Sequence, residues 1–193
     1  FYGITKTEVA VANVRNEVSD ISDHIIILGF GRIGKTMCNL LNKEEITNYV
    51  IIDSDPKTVK DERKAGFPVF YGYAEKKEFL YATGADRAKL IVITINDRKK
   101  IDDCLDMLKS TFPNISVVIR AWDRSHAEYL YENGADVAVP EAFEASLVLG
   151  SNLLKVIGTP EHEVNRIIQE FRKEECPYLS FQNKISLCFL CYL

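Results

Sequence analysis

From residue 24 onward, short apolar runs rich in β-branched residues recur at 25–28, 49–52, 68–71, 90–95, 115–119 and 137–139. Each is the length of a strand and apolar throughout, which predicts six strands buried on both faces. Between the runs the apolar positions take helical spacing. Ile33, Met37, Leu40 and Leu41 follow the first, and Ile101, Cys104, Leu105 and Leu108 follow the fourth at i, i+3, i+4, i+7. Alternating strands and one-striped helices predict an α/β fold, with helices covering a mostly parallel sheet of six strands. Gly84-Ala85-Asp86 and Gly134-Ala135-Asp136 each close a helical segment ahead of a strand. A glycine there takes the left-handed position that ends a helix.

The pattern changes after the sixth strand. Residues 141–157 carry Phe143, Leu147, Val148, Leu149, Leu153, Leu154, Val156 and Ile157, too many apolar residues for one stripe on a surface helix. We therefore expect a partner chain to pack there. Val164, Ile167, Ile168 and Phe171 form a single stripe, predicting a peripheral helix at 161–173 within a segment reaching residue 175. Residues 5–18 alternate only weakly, and residues 1–23 read as a linker with some helical character. Residues 176–193 read as an apolar tail.

Composition narrows the classes of function. Across 193 residues, Lys and Arg number 24 against 28 Asp and Glu, a formal net charge of -4. That leaves no basic excess for gripping nucleic-acid phosphates. No apolar run approaches the ~20 residues of a membrane span, and no signal peptide is visible, so a soluble, intracellular segment is expected. The first residue is Phe1 rather than Met and the last nine are ISLCFLCYL. Both ends are expected to continue into a larger protein. Five cysteines, an odd number, suit free thiols in a reducing compartment. Cys188 and Cys191 form a C-x-x-C, but with no second pair or nearby histidines no metal site is expected.

The clearest chemical signal is Gly29-Phe30-Gly31-Arg32-Ile33-Gly34, a G-x-G-x-x-G between a strand and a helix, with Asp53 closing the second strand nineteen residues past Gly34. This context is that of a dinucleotide-binding, Rossmann-like doubly wound fold. Gly29 permits the turn, Gly31 admits a pyrophosphate close to the backbone, and Gly34 lets helix and strand pack. Phosphates then rest on free N–H groups at the helix N-terminus. A carboxylate at Asp53 accepts ribose hydroxyls and repels a 2′-phosphate, favouring NAD(H) or another adenosine nucleotide over NADP(H).

An oxidoreductase would also need a general acid or base in a substrate pocket. His24 precedes the first strand, His162 sits on a late helix, and His126 is expected to be exposed in a helix's first turn. Tyr73 and Lys77 have Y-x-x-x-K spacing but follow the third strand, the wrong place for a short-chain dehydrogenase pair. A compact NAD-dependent oxidoreductase using Tyr73, Lys77 or His126 is thus the alternative reading, and a dimerising scaffold without a ligand is a second.

The segment from Ile25 to about Phe171 resembles the RCK/KTN (TrkA-N type) nucleotide-binding domains, especially those of Kef-type and plant-type potassium efflux antiporters. The residues carrying the likeness are 27–34, 52–56 and 64–72, then Gly84-Ala85, Arg120-Ala121-Trp122-Asp123, and Pro140-Glu141 leading to Leu149-Gly150. The resemblance implies a nucleotide-binding domain over 24–160 that binds NAD(H), AMP or ATP as a regulatory ligand without turning it over. It implies contacts from the glycine motif, Asp53, Ser54, Asp55, Tyr73, Ala74, Thr94, Ile95 and Asn96, with Arg120 a candidate effector contact. It further implies a homodimer through helix 141–157, at Phe143, Leu147 and Leu154, and a membrane transporter domain attached before Phe1. The domain would lie on the cytoplasmic side, or the stromal side in an organelle. Two departures stand out. The family usually carries Gly-Asp-Ala where this chain has Gly72-Tyr73-Ala74, and its glutathione-gated members carry Arg-Ala-Arg-Asp where Trp122 stands here. Tyr73 supplies no carboxylate, and glutathione gating does not carry over from the resemblance.

Overall fold

The computed structural model describes residues 5–177. Cys188, Cys191 and most of the apolar tail lie outside the described residues. The chain divides into two compact units, one formed by residues up to 119 with 133–136, the other by 120–132 with the residues from 137 onward.

Six strands, β1 (Ile25–Leu28), β2 (Tyr49–Asp53), β3 (Val69–Tyr71), β4 (Leu90–Ile93), β5 (Ser116–Ala121) and β6 (Val137–Pro140), form one sheet in the order β3-β2-β1-β4-β5-β6. Every pairing from β3 to β5 is parallel, with Ile27 of β1 registered on Ile51 of β2 and on Val92 of β4. The chain runs outward from β1 to β3 and then returns to the other side of β1. The sheet's direction of winding therefore reverses between β1 and β4, the place where a doubly wound sheet opens a crevice at its carboxyl edge.

In the first unit both faces of the sheet are covered, which explains strands as uniformly apolar as Ile25-Ile26-Ile27-Leu28. Helix α2 (Arg32–Lys43) sets Cys38, Met37 and Leu41 among Ile27, Ile51, Val69 and Val92. Helix α5 (Arg98–Thr111) buries Ile101, Cys104, Leu105 and Leu108, the stripe expected from its spacing. The burial that excludes water from Cys38 and Cys104 pushes both thiols up to about 12, so neither is a reactive thiolate. Helix α3 (Pro56–Lys64) and the short α4 (Lys77–Ala82) complete the cover. The helix ends at Gly84 and Gly134 take the left-handed conformation, φ +73° and +100°.

Residues 5–18, read as a linker with some helical character, are helical over most of their length. Lys6–Val18 is a formed helix, α1, opened by a capping box in which Thr5 Oγ1 accepts the Glu8 N–H and Glu8 Oε2 accepts the Thr5 N–H. It packs mainly on α4 and buries Val14 and Val18. At its C-terminus the Arg87 guanidinium donates to Val18 O at 2.8 Å and to Ile21 O at 2.7 Å, serving carbonyls that have no partner within the helix. Nearby, His24 is fully buried, its Nε2 2.7 Å from Thr83 O.

The second unit holds α6 (Arg124–Glu132), β6, α7 (Glu141–Val156) and α8 (Glu161–Glu175). His126 is buried rather than exposed as expected. Its backbone N–H donates to Asp123 Oδ1 and its Nδ1 accepts the Trp122 N–H at 3.1 Å, which folds the ring inward. Helices α7 and α8 are joined by a two-pronged Arg172–Glu144 pair, 2.8 and 3.0 Å, and by stacking of Phe143 on Phe171. Among the described residues no helix is long and apolar enough to cross a membrane.

Candidate functional site

The glycine loop joins β1 to α2. Gly29 has φ +101°, a conformation open to glycine and strained for other residues. Its N–H donates to Ile52 O at 2.8 Å and its carbonyl accepts Thr94 Oγ1 at 2.8 Å, tying the turn to strands on either side. A Cβ at Gly34 would stand 2.3 Å from Gly29 O, so helix and turn touch backbone to backbone there. At Gly31 a Cβ would meet nothing within 4 Å. Packing explains the first and third glycines, while the middle one faces open space.

Three helices, α2, α3 and α5, begin just beyond the carboxyl ends of β1, β2 and β4. Two have aspartate caps. Asp55 accepts the N–H groups of Lys57 and Thr58, and Asp97 accepts that of Lys100. The Thr58 hydroxyl and these N–H groups hold the Asp55 carboxyl below its usual range. Helix α2 has Gly31 at its N-cap, no side-chain cap and no acid in its first turn. Its first N–H groups and its positive dipole end therefore face outward without a protein anion to meet them.

Asp53 faces this opening from β2. Its Oδ2 accepts the Phe30 N–H at 2.6 Å and its Oδ1 the Asp55 N–H at 2.8 Å. The carboxylate thus fixes the glycine loop against the turn into α3. Each oxygen retains a second lone pair for a hydroxyl donor.

These elements enclose a cleft of about 220 Å³. Of the residues singled out from sequence, Gly29, Gly31, Asp53, Ser54, Ala74, Thr94, Ile95 and Asn96 line it. The others act behind it or away from it. Phe30 turns its ring onto Phe67, centroids 5.1 Å apart. Arg32 and Ile33 form the first turn of α2, Gly34 supports the loop, and Asp55 serves as a cap. Tyr73, expected among the ligand contacts, is instead turned between Tyr71 and Phe79; its hydroxyl lies 2.7 Å from that of Tyr71. That hydrogen bond raises the Tyr71 hydroxyl above its usual range.

Four lining residues escaped the sequence reading: Ile52, Gly72, Glu75 and Lys100. Gly72 had a signal, since it sits in the resembling segment, and a Cβ there would press to 2.6 Å from the Phe79 ring. Glu75 lies one residue beyond the Gly72-Tyr73-Ala74 segment. It brings an acid to the cleft where position 73 has none.

The groups proposed for redox catalysis do not line the cleft. Besides Tyr73, Lys77 lies over the Tyr81 ring, and His126 is buried in the second unit. In that unit Arg120 Nε stands 2.6 Å from Glu141 Oε2, an ion pair whose angles fall short of a hydrogen bond. Of the expected dimer residues, Leu147 is buried within the chain, Phe143 is stacked on Phe171, and Leu154 is half-buried. The exposed apolar face of α7 is made by Val148, Leu149, Leu153 and Val156, continuing into Ile157, with Leu149 72% and Val156 85% exposed. Among the described residues no cluster of His, Cys, Asp and Glu suited to a metal is present.

The family described as TrkA-N domain matches residues 25–141. A putative K(+) efflux antiporter KefB of Alkalimonas amylolytica is 35% identical over 81% of the chain, and chloroplastic K(+) efflux antiporter 2 of Arabidopsis thaliana is 35% identical over 86%. The chain spans 23% and 14% of the lengths of these two relatives. Among solved structures, the Kef C-terminal domain of Shewanella denitrificans in its AMP-bound form superposes with a TM-score of 0.70. It is 28% identical, with 81% of this chain and 96% of that one covered.

Proposed function

The chain belongs to the TrkA-N domain family, and on that premise we propose that it is the nucleotide-sensing regulatory domain of a potassium efflux antiporter. In this reading residues 24–160 carry the nucleotide-binding domain, on the cytoplasmic or stromal side of a membrane, and the transporter lies N-terminal to it. The regulatory ligand is NAD(H) or an adenine nucleotide.

The observation that carries the reading is the uncapped N-terminus of α2 beside open space at Gly31. Its neighbours α3 and α5 are closed by Asp55 and Asp97, so α2 alone of the three offers backbone N–H groups to an anion. A phosphate there places the attached ribose within reach of Asp53, and Ser54 and Ala74 edge the region beyond. Kinship with an AMP-bound Kef domain agrees with this choice of ligand.

Binding biases the transporter only by the difference in affinity between its two states, and a coupling of about 1–3 kcal/mol is sufficient. The exposed face of α7 is the surface through which two copies associate, so that the ligand acts on a dimer. Catalysis forms no part of this reading.

The test is titration calorimetry with NADH, NAD, AMP and ATP on the wild-type chain and on Asp53→Asn. The variant keeps a carbonyl oxygen for one of the two backbone N–H donors. At least one ligand should bind the wild type, and the variant should bind it about tenfold more weakly, the size of one hydrogen bond to a charged group. Failure of all four to bind at millimolar concentration overturns the proposal.

A further inference from the structure

Helix α5 opens with Arg98-Lys99-Lys100 and has no acid in its first turn. A cation at the positive end of a helix opposes the dipole, so this run is not there to stabilise the helix. Asp97 caps the helix through the Lys100 backbone N–H, but the Lys100 side chain is not the capping group. Lys100 is half-buried, lines the cleft beside Thr94, Ile95 and Asn96, and its ammonium has no hydrogen bond or ion pair among the described residues.

The other charged groups of the cleft make this cation informative. Asp53 accepts two backbone N–H groups that hold the loop. Glu75, half-buried on the turn after β3, also has no hydrogen-bonded or ion-pair partner among the described residues. The two side chains line one cleft and do not pair with each other. An anion that enters from the α2 end and continues toward β4 meets Lys100, and Glu75 opposes it.

We propose that Lys100 selects ligands with a phosphate beyond the one seated on α2, so that the cleft prefers a nucleoside diphosphate or dinucleotide to a monophosphate. Glu75 limits that preference. The inference rests on the reading that the cleft binds an adenine nucleotide: the sugar at Asp53 and the first phosphate at α2 fix the direction, and the next phosphate extends across the sheet's switch point toward α5.

The test is calorimetry of AMP and ADP against the wild-type chain, Lys100→Gln, Lys100→Arg and Glu75→Gln. The wild type should bind ADP about tenfold more tightly than AMP, the difference expected of one charge-assisted contact. Lys100→Gln should bring ADP to within about twofold of AMP without weakening AMP, because the first phosphate does not touch it. Lys100→Arg should keep the preference, and Glu75→Gln should widen it. Such opposite shifts are not produced by a loss of fold. If Lys100→Gln weakens AMP and ADP equally, or the wild type binds both equally, the selection by Lys100 is wrong while the site stands. If the wild type binds neither, the reading of the site fails and takes this inference with it.

Discussion

Two single-methyl substitutions separate the structural glycine from the ligand-facing one. In Gly34→Ala the new Cβ meets Gly29 O at 2.3 Å, and ordinary contact requires about 1 Å more. The turn cannot yield freely. Gly29 is held by Ile52 O on one side and Thr94 Oγ1 on the other, so α2 must retreat from the sheet and draw Cys38 away from Ile27, Ile51 and Val92. Overpacking of this kind costs about 3 kcal/mol at the upper end of its usual range, and alanine's helix propensity returns about 1 kcal/mol. The net loss of about 2 kcal/mol lowers Tm by about 4–8 °C in a chain of this size. Gly31→Ala meets nothing within 4 Å and has no left-handed backbone to strain, so its cost is that of alanine for glycine at an N-cap, about 0.5–1 kcal/mol. Its methyl instead stands where a phosphate is proposed to approach the α2 N–H groups. Thermal melts with and without saturating AMP read both effects. Gly34→Ala should melt low, whereas Gly31→Ala should melt closer to wild type and lose the AMP-induced rise. A Gly31→Ala protein that keeps that rise, or melts below Gly34→Ala, refutes the division of roles.

Other consequences follow from the same geometry. Burial holds His24 below the usual histidine range, so it is neutral in the folded chain while the unfolded chain takes up a proton near pH 6.5. Its contribution to stability is complete above that pH and is lost as pH falls toward the lowered folded value. Between pH 7.5 and 5.5, Tm should therefore fall more steeply for wild type than for His24→Gln, and equal slopes contradict the assignment. Arg87→Met removes the donors to Val18 O and Ile21 O, and should cost about 1–3 kcal/mol while hydrogen exchange in residues 6–18 speeds up. Unchanged exchange there would show that α1 does not depend on this cap. Leu149→Glu with Leu153→Glu alters only exposed positions of α7 and should convert a dimer to a monomer in sedimentation analysis with Tm little changed. A wild-type chain that is already monomeric refutes the dimer.

The sheet was legible because its strands are apolar on both faces and its helices carry single stripes, signals that reside in consecutive residues. The glycine motif and Asp53 were legible for the same reason. What the pattern left out depends on partners distant in sequence. Nothing near His24 announces Thr83, which lies fifty-nine residues away. Helix α7 is apolar around its girth, so periodicity could not say that Leu147 points inward and Leu149 outward. Two omissions did have signals. Thr5-Lys6-Thr7-Glu8 is a capping-box sequence that marks the start of α1, and the basic run opening α5 conflicts with the helix dipole. Tyr73 was assigned to the cleft by its place after Gly72, but Phe79 and Tyr71 offer its ring an apolar seat and its hydroxyl a partner.

An adenine nucleotide proposed to sit on α2 at the carboxyl edge of the sheet should be visible in backbone amide NMR spectra recorded during AMP titration. Saturable shifts are expected, concentrated at Gly29, Gly31, Arg32, Asp53, Ala74 and Thr94. Shifts confined to other parts of the chain, or none at millimolar AMP, would contradict that placement.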